Sequence, residues 1–203
     1  MPRADAARNR TLVIDAASAE LAEHGLDVSI ARIAARAGVA KGTVFNHFAS
    51  KEELVAAIFC EKLAALAATG ESLLSHPDPL DALFQFVTAG AEFQANDRSF
   101  CEAATASRAD PAIRAVSDRL TGAAEALADR ARKAGVLRSD VTGHDVVLLL
   151  SAPAQAAAPL AGARPDLWRR YLHLIFDGLR PEAEHRLPVA APTNEDFTTA
   201  ATR

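Results

Sequence analysis

Cysteine is nearly absent: the chain of 203 residues holds two, Cys60 and Cys101. Two cannot build a disulfide framework. Neither lies in a CxxC pair or beside a histidine at metal-ligand spacing, so a stapled secreted scaffold is excluded and a reducing cytoplasm is the expected setting. Tryptophan and tyrosine occur once each, and residues with strong strand preference are sparse, which argues against a sheet architecture. Long hydrophobic runs are missing too. The most continuous one, Val146 to Leu150, leads into a segment broken by Pro153 and Pro159 and is too short to span a bilayer. The first ten residues carry Arg3, Arg8 and Arg10 but no apolar stretch, unlike a signal peptide. Positive charge is not in excess either; the net of −4 argues against attraction of the whole molecule to nucleic acid.

What is abundant is alanine, at 47 positions, in a chain that is 50% apolar and 24% charged. That composition predicts a globular all-α protein. Its charge is unevenly spread. Residues 1–51 hold seven Lys/Arg against five Asp/Glu, a net of +2, whereas the remainder carries a net of −6. A mildly basic head precedes an acidic body.

Caps and breakers predict nine helices. The first runs from about Asp5 to His24 on Val13, Ala17 and Leu21, and ends at Gly25. Ser29 caps a second through Arg36, with Ile30, Ile33, Ala34 and Ala37 inward and Gly38 as its stop. A third spans roughly Ala40 to His47. Ser50-Lys51-Glu52-Glu53 reads as a capping box for a long fourth helix, loosened at its end by Gly70. Asp78-Pro79 and Asp110-Pro111 open helices over about 78–95 and 110–134, with a shorter one from Asp97 to Ser107 between them. Thr142-Gly143-His144-Asp145 starts a helix to about Ala158, kinked at Pro153, and Arg164-Pro165-Asp166 starts the last, to Leu179. Residues 181–203 lack a sustained period and read as a flexible tail. The predicted domains are 1–51 and 52–180.

Two short helices joined through Gly38, with a third packed behind, follow the helix-turn-helix plan, in which the second short helix enters the major groove. The string Ala40 to Lys51 alternates apolar anchors, Val44 and Phe48, with groups suited to DNA. Lys41 brings a cation to the helix start. Gly42 lets backbone approach the sugar-phosphate chain. Thr43 offers a hydroxyl and a methyl, Asn46 can pair bidentately with adenine, and His47 and the main-chain amide of Lys51 suit phosphate. Arg3, Arg8 and Arg10 are either an arm along the minor groove or a solvated terminus.

On these residues, above all Ser29 to Phe48 followed by Ser50-Lys51-Glu52, the head resembles the DNA-binding domain of TetR/AcrR-type transcriptional regulators, and nine helices fit that family's plan. Ala40 stands where the family usually has Ser or Thr, and Phe45 where it usually has Tyr; each change removes a hydroxyl that would reach phosphate. The candidate DNA-contacting residues are Ser29, Lys41, Gly42, Thr43, Phe45, Asn46, His47 and Lys51. The resemblance implies a homodimer on a palindromic double-stranded operator, released when a small molecule enters the C-terminal domain.

The candidate lining for such an effector is mostly apolar: Phe59, Leu63, Phe84, Val87, Phe93, Phe100 and Cys101, with Gln94, Glu102 and Arg108 as orienting groups. The same aromatics also read as plain core. An apolar stripe of Trp168, Tyr171, Leu172, Ile175 and Leu179, together with Val147 and Leu150, is the expected dimer seam, which would space two recognition helices about 34 Å apart. The histidines are scattered, the serines lack a GxSxG turn and the glycines form no phosphate loop, so neither metal, cofactor nor catalysis is expected. The reading is a ligand-responsive regulator, with a ligand-independent DNA-binder or a helical small-molecule-binding enzyme as alternatives.

Overall fold

The computed structural model of the chain describes residues 2–96, 111–182, 185–193, 195, 196 and 199, with the side chains of residues 2–4 and Leu26 left aside. The described residues are all helical in their regular structure. Among the described residues nine α-helices have full bounds: α1 Pro2–His24, α2 Ile30–Ala37, α3 Lys41–His47, α4 Lys51–Leu73, α5 Pro79–Asn96, α6 Pro111–Lys133, α7 Gly143–Leu149, α8 Ala152–Ala157 and α9 Leu167–Asp177. The helix expected over Asp97 to Ser107 lies outside the described residues. The described count still reaches nine because the helix expected from Thr142 to Ala158 is two, α7 and α8. Pro153 has no amide for the carbonyl of Leu149, and the chain breaks at that point instead of merely kinking.

Contacts divide the chain into two compact units, one containing residues up to Lys62 and the other residues 63–96 and those after 109. In the first, α1, α2, α3 and the first half of α4 enclose Val13, Ala17, Leu21, Ile33, Val44, Phe48, Leu54 and Ile58, all buried. The caps act as the sequence predicts. The Ser29 hydroxyl accepts from the Arg32 amide at 3.3 Å, and Gly38, at φ +68°, turns the chain so that the Val39 amide reaches the Ala34 carbonyl at 3.0 Å. The Ser50 hydroxyl accepts from the Glu53 amide at 3.2 Å, while the Glu53 carboxylate reaches one residue beyond the expected box, to the amide of Ala49 at 2.7 Å.

In the second unit α6 packs against α5 and α7, and α9 packs against α5 and α8. Its centre is Leu83, Phe86, Val87, Ile113, Leu127 and Leu172, each fully buried and each contributing about 1.5–3 kcal/mol by leaving water. Small residues set the spacing. Gly70 does not loosen α4, which continues to Leu73; a Cβ there would lie 2.8 Å from the Phe86 ring, so the glycine admits that ring. At Gly143 a Cβ would stand 2.4 Å from the backbone of Glu125, which fixes how closely α7 approaches α6.

Candidate nucleic-acid interface

The second short helix, α3, is anchored on one side only. Val44 is 1% exposed and Phe48, whose amide bonds to the Val44 carbonyl at 2.9 Å and ends the helix, is 2% exposed. At 100° per residue, Gly42 and Asn46 then fall opposite Val44. Both are exposed, as are Lys41 and Phe45 on one flank, whereas Thr43 and His47 on the other flank are half-buried. Nothing lies within 4 Å of where a Cβ on Gly42 would stand. The Lys41 Nζ sits 5.8 Å from the Phe45 ring centroid, a cation–π distance. Ala40 stands at the N-cap without a side-chain cap bond. Ser29 is exposed but its hydroxyl is engaged in capping α2, and Lys51 is half-buried at the first position of α4.

The terminal arginines belong to the first helix, Arg3 by its backbone. Arg8 and Arg10 lie within α1, and Arg10 is placed over the Phe48 ring, 5.2 Å from its centroid, with its Nη1 3.3 Å from the Glu61 carboxylate on α4. Arg10 therefore braces the end of α3 from the protein side. The side chain of Arg3 lies outside those described.

Sequence reasoning missed the polar link between α1 and α2. Glu20 is 5% exposed, the one buried charged side chain among the described residues, and accepts from Arg32 Nε and, at 3.1 Å, from Arg36 Nη1. Arg36 also forks onto Glu23 at 2.7 and 2.9 Å, and His24 stands 3.4 Å from Glu20. Burial alone would raise the Glu20 carboxyl. Hydrogen bonds from Arg36 and Arg32, with their charges, outweigh it and hold the group below the usual carboxylate range. The signal was present as Glu20, Glu23 and His24 on one stripe of α1 and Arg32 and Arg36 one turn apart on α2. Glu20, Glu23 and His24 bring ligand-type atoms within 4.8 Å of one another, but both carboxylates are already matched by guanidinium groups.

The residues considered for an effector fall in both units. Phe59, in the first unit, packs half-buried against that unit's core. In the second unit Leu63 and Val87 are buried, Phe93 and Gln94 are half-buried, and Phe84 meets Phe176 edge-on at 4.9 Å and His173 at 5.1 Å. Phe100, Cys101, Glu102 and Arg108 lie outside the described residues. A surface cleft of about 280 Å³ is lined by Arg164, Pro165, Asp166, Leu167 and Arg170, none of them in the expected set. Cys60 is half-buried.

The expected seam residues divide in two. Trp168, Leu172, Leu150 and Leu179 are buried within the single chain, at 4, 1, 4 and 9% exposure, and serve its own core. Tyr171, Ile175 and Val147 are half-buried, and in the same unit Leu148, Leu160 and Leu174 are each more than half exposed.

A short helix held by its apolar side over a buried core, with a cation, a bare glycine and an amide turned outward, defines a DNA-binding helix-turn-helix protein. Residues 13–58 match the family model described as bacterial regulatory proteins, tetR family, and residues 78–181 match that of the C-terminal domain of SbtR-like transcriptional regulators. A TetR transcription regulatory protein from Mycobacterium vanbaalenii is 31% identical over 89% of this chain and 99% of its own, with a TM-score of 0.63. A TetR transcriptional regulator from Streptomyces coelicolor is 30% identical over 86% of this chain and 99% of its own, at 0.65. FadR from Bacillus subtilis, solved in complex with stearoyl-CoA, is 16% identical over 86% and 99%, at 0.64, a likeness of fold. The chain belongs to the TetR family of transcription regulators. No helix among the described residues is long and apolar enough to cross a membrane.

Proposed function

We propose that the protein is a ligand-responsive repressor that acts in the cytoplasm as a homodimer, holding a palindromic operator through α3 and releasing it when a small hydrophobic molecule binds its C-terminal domain. The observation that carries this reading is the outward face of α3, where Lys41, Gly42 and Asn46 are exposed while Val44 is buried. We assign DNA binding to residues 1–51, effector binding and dimerisation to 52–180, and a tail to 181–203. Lys41, Thr43, His47 and the Lys51 amide are assigned to phosphate and Asn46 to a base edge. Regulation, not catalysis, is the activity we assign.

We assign the apolar effector to the region of α5 and α9 where Phe84 meets Phe176. The shared fold of a regulator solved with stearoyl-CoA is consistent with that class. An effector acts only through a difference in affinity between the DNA-bound and released states. Leu148, Leu160 and Leu174 support a second copy as the cover for the C-terminal unit.

The test is selection of duplexes from a random pool by the full-length protein, followed by gel shifts with and without acyl and aromatic small molecules. The expected outcome is a two-fold symmetric consensus, with half-sites about one helical turn apart, and release by at least one molecule. Recovery of unselected sequences would overturn the regulator reading.

A further inference from the structure

Among the described residues, Phe45 is the one aromatic side chain left largely exposed, at 46%. It adds little to the head, because Val44 takes the inward position and Phe48 closes the core behind it, at 1% and 2% exposure. A phenyl ring neither donates to nor accepts from a phosphate in the ordinary sense, so Phe45 does not belong with the backbone-contacting groups around it. Its place on the helix is specific. Gly42 has Phe45 and Asn46 as its neighbours three and four positions on, and no atom within 4 Å of where its Cβ would stand. The three residues frame a notch with bare backbone as its floor, an apolar ring on one side and a carboxamide on the other. The Lys41 ammonium, 5.8 Å from the ring centroid, adds a cation at the outer edge.

In the major groove a T·A pair presents an apolar group and an amide-compatible edge side by side: the 5-methyl of thymine and the N6/N7 edge of adenine. We propose that Phe45 is a specificity-determining residue that packs on the 5-methyl group of a thymine in each half-site, beside the adenine taken by Asn46. The proposal rests on α3 being the helix that enters the groove. Burial of one methyl against the ring is worth about fourfold in affinity. The methyl is the recognised feature, so uracil at the same position loses it while every hydrogen bond of the base pair remains.

The experiment uses the full-length protein and the operator it selects from random duplexes. Each thymine of the operator is replaced in turn by deoxyuridine and the affinity measured for wild type, Phe45→Ala and Phe45→Leu. The expected result is a loss of about fourfold at one thymine per half-site for wild type, a smaller loss for Phe45→Leu and none for Phe45→Ala. Both variants keep the wild-type melting temperature within a few degrees, since the ring is half in water. Tolerance of deoxyuridine at every position by wild type, or discrimination retained by Phe45→Ala, overturns the assignment while leaving the regulator reading intact. A protein that selects no operator overturns both.

Discussion

At Gly42 a side chain would meet nothing of the protein within 4 Å, so its cost would fall on a bound duplex alone. Replacing it with Leu removes a poor helix former, and the variant is expected to melt at or above the wild-type temperature while losing operator binding. A variant that unfolds instead would show that the glycine serves the fold; thermal melts beside gel shifts decide. Asn46 and Lys41 are expected to separate in another way. Asn46→Ala should cost about 1–3 kcal/mol on the selected operator and relax preference at one base pair. Lys41→Ala should weaken all sequences alike and lower the salt slope by about one. Equal losses for both on random DNA would contradict the division. At this scale the sequence was legible where local chemistry decides: Ser29, Gly38, Ser50, Asp78 and Thr142 all punctuate helices as their types predict. Arg10 was not legible in that way, because its partners Phe48 and Glu61 are 38 and 51 positions away and only the fold brings them together.

Between elements, the link from α1 to α2 is carried by charge as well as by packing. Because the Glu20 and Glu23 carboxyls are held below their ordinary value of 4.5, their contribution is present above that pH and fades as pH falls through the lowered native values. Glu20→Gln should therefore melt below wild type at pH 7. The gap between the two should shrink as the pH drops below about 4.5. A gap unchanged down to acid pH, followed by circular dichroism, would mean that shape and not charge holds the pair. Elements whose ends are set by caps were predicted to within a few residues. The helix over 142–158 was not, since periodicity cannot tell a bent helix from α7 and α8 separated at Pro153. Gly70 was misread for a related reason: its role depends on Phe86, 16 positions on, which no local pattern reveals.

At the scale of the whole molecule, assembly turns on what covers the C-terminal unit. Hydrophobic pattern alone marked Trp168 and Leu172 as seam residues, but a stripe on a short helix does not say whether it faces its own core or a second copy. The single chain uses them itself and leaves Leu148, Leu160 and Leu174 outside. Leu174→Arg should accordingly give a monomer in sedimentation velocity, with unchanged helix content and weakened operator binding. Trp168→Ala should instead lower stability by about 3–5 kcal/mol as a core truncation. A dimeric Leu174→Arg would move the seam elsewhere.

The first residue of a helix ordinarily offers its amide to water, and such amides exchange their protons readily. Gly143 departs from that rule. It is buried, and its N–H donates to the Glu125 carboxylate at 2.6 Å, whose other oxygen is held by Arg132 at 2.6 Å. Its proton is shielded by the α6–α7 contact instead of by helix hydrogen bonds, so it leaves only when those two helices part. In a deuterium exchange experiment this one glycine is a clock for the opening of the C-terminal unit, readable before and after any small molecule is added.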